Sequence, residues 1–205
     1  MLNCTCPANA SLTAIPVVTC AESFGQIQKV AFQRLKDVDG TRNSFTLTDI
    51  AAKSTWSSAK AAADATKVVI SPYIQAPTSE AGDAITFGGG NDTLGGVEII
   101  IGRNPSTFTS VMRGIPQDVI KVMKELQCEA QAGNLGVFLF DDNGNIECIV
   151  EGTACYPIPI ASLFIGDKAH GGLEAPDSNA LNWSFPPNYS DDLDIVKPAF
   201  NPLDL

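Results

Sequence analysis

The apolar positions of this chain fall into one helical stripe and a series of short, strand-like runs. Val119, Ile120, Met123 and Leu126 lie on one side of a 3.6-residue spiral, and Ala130 continues the stripe. Lys121, Lys124, Glu125 and Glu129 fall mostly off it. Pro116 suits a first helical position, where the missing N–H loses no partner. Gly133, followed by Asn134, can supply a left-handed cap. The spacing predicts a helix over 116–132. Burying four large apolar side chains at about 1.5–3 kcal/mol each gives a gross upper figure of roughly 6–12 kcal/mol. That is enough to dock the helix on a sheet.

The strand pattern surrounds this helix. The runs 137–140 and 146–150 flank Asp141-Asp142-Asn143-Gly144-Asn145. Asn143 and Gly144 both tolerate positive φ, the strongest short-range hairpin signal. Further strands are expected at 26–35, 67–74, 84–87, 97–101, 158–165, 181–185 and 193–196. Pro72 inside the second of these argues for an edge or a bulge. The continuous Ile99-Ile100-Ile101 predicts a strand buried on both faces, beneath the helix. Thr48 or Asp49 can cap a short turn through Ile50 and Ala51, and 54–63 permits one or two helical turns around Trp56. The stretches 75–96 and 166–178 read as loops.

The expected organisation is an N-terminal arm over 1–23, a single β-rich domain over 24–198 with a long loop at 75–96, and a C-terminal tail over 199–205. The fold class is mainly β within the α+β group. Two packed antiparallel sheets, as a β-sandwich or tube-type barrel, are flanked by the helix at 116–132.

Composition sharpens this picture. Hydrophobic residues make up 44% of the 205 positions, enough for a real core. Charged residues make up 18%, below the usual value of about 25%. So sparse a charge distribution suits a subunit that buries surface against copies of itself. Long structureless loops are uncommon in compact monomers and find partners readily in assemblies. The net charge of −10 argues against a nucleic-acid reader, because phosphate neutralisation supplies most of that affinity. No run approaches the roughly 20 apolar residues of a membrane span. The start, Met1-Leu2-Asn3-Cys4, has no basic region followed by an apolar run, so no secretion signal is expected. The Asn-x-Ser/Thr matches at Asn3, Asn182 and Asn188 are then chance.

The residues with chemical potential form no convincing site. Cys4, Cys6 and Cys20 are close in sequence, yet a zinc site takes four ligands and His170 is remote. Cys128 and Cys148 are expected as buried thiols behaving as small hydrophobes in a reducing compartment. Gly88-Gly89-Gly90-Asn91-Asp92-Thr93-Leu94-Gly95-Gly96 copies one unit of a calcium-binding repeat, but a single unit supplies only part of a shell and reads as a flexible turn. His170 in a glycine-rich loop has no nucleophile motif beside it. Asp141 and Asp142, like Asp191, Asp192 and Asp194, read as turn residues and solvated acids. Trp56, Trp183, Phe185 and Tyr189 read as core or interface anchors. No catalytic, cofactor-binding or metal-binding residue is assigned, and no enzymatic activity is expected.

A β-rich chain with one amphipathic helix between strands, an arm and long loops resembles the tail tube proteins of tailed phages over about 26–196. The segment 157–198 is similar to phage structural proteins through Ile165-Gly166-Asp167-Lys168, Asn182-Trp183-Ser184-Phe185 and Tyr189-Ser190-Asp191-Asp192. The resemblance implies a virion subunit made in the host cytoplasm. Six copies would close a ring by continuing one sheet from subunit to subunit, and rings would stack through arms and loops. Its partners would be itself, other virion proteins and DNA passing without specific binding, with no membrane and no cofactor. Carboxylates lining a lumen would repel phosphates and keep DNA sliding, and ring closure removes exposed sheet edges. Alternatives are a capsid decoration, connector or baseplate component. From other classes come a carbohydrate-binding or adhesion β-sandwich using exposed Trp183 and Tyr189, and a hydrolase using Asp141, Asp142, Asp191 and Asp192.

Overall fold

Seven consecutive buried residues, Leu135–Asp141, make the strand on which the whole fold is built. They belong to a computed structural model that describes residues 14–18 and 24–205. The proposed cluster of Cys4, Cys6 and Cys20, and most of the arm, lie outside the described residues. In chain order the elements are β1 (Ile27–Arg34), β2 (Phe45–Thr46), α1 (Leu47–Ile50), α2 (Lys53–Ala61), β3 (Val68–Ile70), β4 (Gln75–Glu80), β5 (Ala84–Gly88), β6 (Glu98–Arg103) and β7 (Ser106–Arg113). There follow α3 (Gln117–Gln131), β8 (Leu135–Asp141), β9 (Ile146–Glu151), β10 (Ala154–Tyr156), β11 (Ile158–Pro159), β12 (Ala161–Ile165), β13 (Ser178–Phe185) and β14 (Leu193–Val196).

The molecule is mainly β, with antiparallel sheets and few helices. The larger sheet runs β2-β10-β9-β8-β1-β3, with β11 joining β8 and β14 joining β9. The smaller runs β12-β13-β7-β4, and β5 and β6 pair only with each other. Alternation along β8 explains why it is buried on both sides. Leu135, Val137 and Leu139 face a core shared with Phe108, Met112, Leu181, Trp183 and Phe185 of the smaller sheet. Phe138 and Phe140 face a second core with Trp56, Ile50 and Phe45. The tail at 199–205 closes this second core through Phe200, Leu203 and Leu205.

Helix α3 buries Ile120, Met123 and Ala130, with Val119 and Leu126 packed alongside. Its stripe is the one the spacing predicts. Pro116 serves as the N-cap with extended ψ of 146°, one position ahead of its expected place. Gly133, at φ 69°, ends the helix, and the Asn134 N–H returns to the Glu129 carbonyl at 3.2 Å. Cys128 corrects an expectation: it is exposed on α3 rather than buried. The hairpin joining β8 and β9 turns at Gly144 (φ 80°), the only one of the Asn-Gly pair to take positive φ.

Several strands depart from the sequence reading. β4 occupies 75–80, where a loop was expected. β7 lies where no strand was foreseen, although it buries alternate residues Ser106, Phe108, Ser110 and Met112. The run 158–165 divides, with β11 on the larger sheet and β12 on the smaller, so one segment turns the corner between them. Ser162, at φ 53°, sits in the register break where β12 begins. Pro72 does end a strand: β3 stops at Ile70 on the edge of the larger sheet.

Candidate assembly surface

The largest correction concerns 97–101, which is neither buried nor beneath the helix. β4 continues into β5 and β6 into β7, so the four strands are two halves of one long hairpin. The inner half joins the smaller sheet, with Thr78 opposite Thr109 and Glu80 opposite Thr107. The outer half, β5 with β6, pairs Phe87 with Ile99 and Thr86 with Ile100 and has no other strand beside it. Between the halves, Gly82 passes so close to the Asn104 carbonyl oxygen that a Cβ there would sit at 1.9 Å. The Asn104 N–H bonds the Asp83 carbonyl at 2.9 Å and closes the joint.

The outer ribbon is apolar on both faces. Phe87 and Ile99 share one face, because they are register partners, and Ile100 lies on the other with Thr86. The register shift after Ile85 leaves Ile101 as the extra residue of a bulge. Phe87 is 57% exposed, Val97 65%, Ile99 54%, Ile100 53% and Ile101 49%. An isolated two-stranded ribbon is marginal in water, and a contiguous apolar surface of this kind is characteristic of an interaction site. At its tip Gly88, Gly89, Gly90, Gly95 and Gly96 all adopt positive φ. The Thr93 hydroxyl organises this connector, accepting from the Gly89 N–H at 3.1 Å and donating to the Val97 carbonyl at 2.7 Å. At its base Arg103 donates to Asn188 at 2.9 Å, tying the ribbon to the loop before β14. β4 forms one edge of the smaller sheet, and most of its side chains are exposed.

The residues weighed for chemistry are scattered by the fold. Asp141 is fully buried, which corrects its reading as a solvated acid. Its carboxylate accepts from the Gly25 N–H at 2.9 Å, the Asn145 N–H at 2.6 Å and the Asn145 amide at 2.8 Å. Asp142 accepts from the Gln26 N–H at 2.9 Å. Both acids therefore fasten the entry of β1 to the β8–β9 turn. His170 is 81% exposed on its side chain and lies 3.2 Å from Asp177. Hydrogen bonding from His170, the largest influence, holds the Asp177 carboxyl below its ordinary range. Asp191, Asp192 and Asp194 are exposed around the start of β14. Among the described residues, no group of three or more His, Cys, Asp or Glu side chains is gathered as a metal site would need.

The aromatic residues are anchors. Trp183 stacks on Phe108 at 4.0 Å and meets Phe32 and Phe185 edge-on, with 2% exposure. Tyr189 stacks on Phe185 at 4.3 Å. Buried Trp183 is not free to face a sugar, and Phe185 covers one face of the half-buried Tyr189 ring, so the exposed aromatic pair that favoured a carbohydrate-binding module is not present. The groove bordered by Phe32, Gln33, Arg34, Leu126 and Glu129 holds about 220 Å³. That is below the range of about 300–1,000 Å³ common for small-molecule sites, whereas the shallower, more polar depression between the β8–β9 turn and Lys197–Asn201 holds about 400 Å³.

Sequence reasoning found the ribbon's residues but put them in the wrong place. Cys148 and Cys155, on neighbouring strands, are both buried in the second core.

No protein-family profile matches this chain. No curated protein matches it either. Two solved structures show some likeness. One is the tail of an empty GTA particle with C6 symmetry, at 12% identity and a TM-score of 0.33, covering 55% of this chain and 77% of that one. The other is the baseplate of the anti-feeding prophage, six-fold symmetrised, at 9% identity and a TM-score of 0.36, covering 90% of this chain and 100% of that one. At these scores the likeness does not establish a shared fold.

Proposed function

We propose that this chain is a structural subunit of a phage virion that assembles with copies of itself, as a tail tube protein does in stacked, hexameric rings. The observation that carries the reading is the β5–β6 ribbon. Five large apolar side chains stand about half exposed or more on both of its faces, on a hairpin that leaves the smaller sheet. A sister subunit covering both faces would remove this surface from water and hold a ribbon that is marginal alone. The open edge of β4 offers the same partner a way to continue the sheet. The net charge of −10 suits a conduit through which DNA slides without being held. Buried Trp183, exposed His170 and structural Asp141 leave no described constellation for bond-making. In this reading 24–198 is one body, 1–23 an arm and 199–205 a tail, and the protein resides in the particle after synthesis in host cytoplasm.

Negative-stain microscopy of the purified chain over a range of concentrations tests the proposal. Rings or tubes are expected, with or without an added particle fragment as initiator. A monomer at every concentration, with and without the initiator, would contradict it. The copy number in intact particles separates a tube subunit, present in many rings, from a connector or baseplate component.

A further inference from the structure

The tail at 199–205 sits on the body as a plug on a tether. Asn201 caps a single 3-10 turn, Pro202–Asp204, by accepting from the Leu203 N–H at 3.0 Å. The Asp204 N–H returns to the Asn201 carbonyl at 3.1 Å, and the Leu205 N–H to the Pro202 carbonyl at 3.3 Å. These internal hydrogen bonds give the plug a shape of its own. It buries Pro202 and packs Phe200, Leu203 and Leu205 against the core that holds Ile50 and Trp56. Two lysines then hold its carbonyls. Lys29 of β1 donates to the Leu203 oxygen at 2.7 Å while lying over the Tyr73 ring at 4.5 Å. Lys60, in the last turn of α2, donates to the Leu205 oxygen. Burial, then the neighbouring Lys60, draws the Lys29 pKa below its ordinary value, and the Asp204 carboxylate opposes this. Two ammonium groups and the Asp204 carboxylate thus share one cluster.

The tether is held far less firmly. Lys197 and Ala199 are exposed, and the stretch borders the polar depression of about 400 Å³ beside the β8–β9 turn. It is fastened by the Ala199 N–H on the Ala51 carbonyl at 3.2 Å, and Pro198 has no N–H to add. The receiving groups Lys29, Lys60 and Tyr73 lie more than a hundred positions from the plug in sequence. The same contacts therefore form whichever copy supplies it.

We propose that the groove between β1 and α2 is a docking site for segment 199–205 of a second copy, filled by the chain's own tail in the free subunit and by a neighbour's in the assembly proposed above, on which this exchange rests. Each contact within a chain is replaced by an identical contact between chains, so exchange costs little beyond re-aiming the tether. In dilute solution the short tether keeps a chain's own plug at high effective concentration. Packed copies bring a second plug to every groove, and a plug shared between copies also ties one to the next. Release needs only local opening, because the plug is one turn carried on exposed chain.

The test uses the unmodified full chain, prepared with ordinary and with heavy nitrogen and mixed in equal amounts. Dilute subunit and assembled material are treated with a carbodiimide, which joins carboxyl groups to adjacent amines, then digested and weighed. The peptides read are those linking Asp204 to Lys29 or Lys60. In dilute subunit every such link should carry a single label. In the assembly about half should join a light chain to a heavy one, the share that random exchange gives. Single-label links alone in well-formed assemblies would overturn the exchange and leave the assembly standing. No assembly at any concentration, with or without an initiator, would remove both. Dilute subunit that yields no link at all would deny the groove its tail and overturn the proposal.

Discussion

At the residue scale the clearest determinant is Asp141. Its carboxylate takes three hydrogen bonds while fully buried, binding the β8–β9 turn to the start of β1. Asp141→Ala strands the Gly25 and Asn145 N–H groups and should lower stability by about 2–4 kcal/mol in urea denaturation. The sequence showed this aspartate inside an Asn-Gly turn but not its burial, because its partner Gly25 is 116 positions away. His170 and Asp177 make an opposite case, exposed and weakly consequential. The depressed carboxyl favours the fold at pH above its unfolded value, and that contribution is lost as pH falls through the folded value. Screening keeps it small. His170→Ala should let the Asp177 pKa rise toward 3.8 in an NMR titration, with little change in melting.

At the element scale, legibility follows how purely a segment's pattern reflects its own burial. α3 was readable because Ile120 and Met123 are large, apolar and helically spaced, so the helix's own pattern marks its buried face although the core they enter is drawn from the whole chain. Met123→Asp should dislodge the helix and lower stability by about 3–5 kcal/mol, read by chemical denaturation. β7 was not readable, because Ser106 and Ser110 occupy two of its inward positions. Ser110 is satisfied there by donating to the Leu181 carbonyl at 2.9 Å, a cross-strand partner no local pattern reveals. β4 hid for a related reason: Gln75, Thr78, Ser79 and Glu80 are exposed on an edge, so nothing apolar marks them. β6 failed in the other direction. Its isoleucines signal burial, yet within one chain they meet mainly solvent.

At the scale of the whole molecule, that failure is informative. A run such as Ile99-Ile100-Ile101 reads as buried because it is written for burial, and the missing cover belongs to another molecule in the proposed assembly. The antiparallel sheets and flanking helix were visible from the sequence; the long hairpin that crosses from sheet to ribbon was not, since β4, its joint at Gly82 and β7 each lack an apolar signature. The double change Phe87→Ser with Ile99→Ser should leave the melting of the dilute subunit within about 3 °C, because both side chains are mostly exposed. The same change should abolish sedimentation of large species. Hydrogen exchange of segments 84–88 and 98–103, measured in dilute subunit and again in assembled material, tests the central claim most directly. Fast exchange in the free chain and strong protection in the assembly is the predicted result. Equal exchange in both, with protection appearing elsewhere on the molecule, would contradict it.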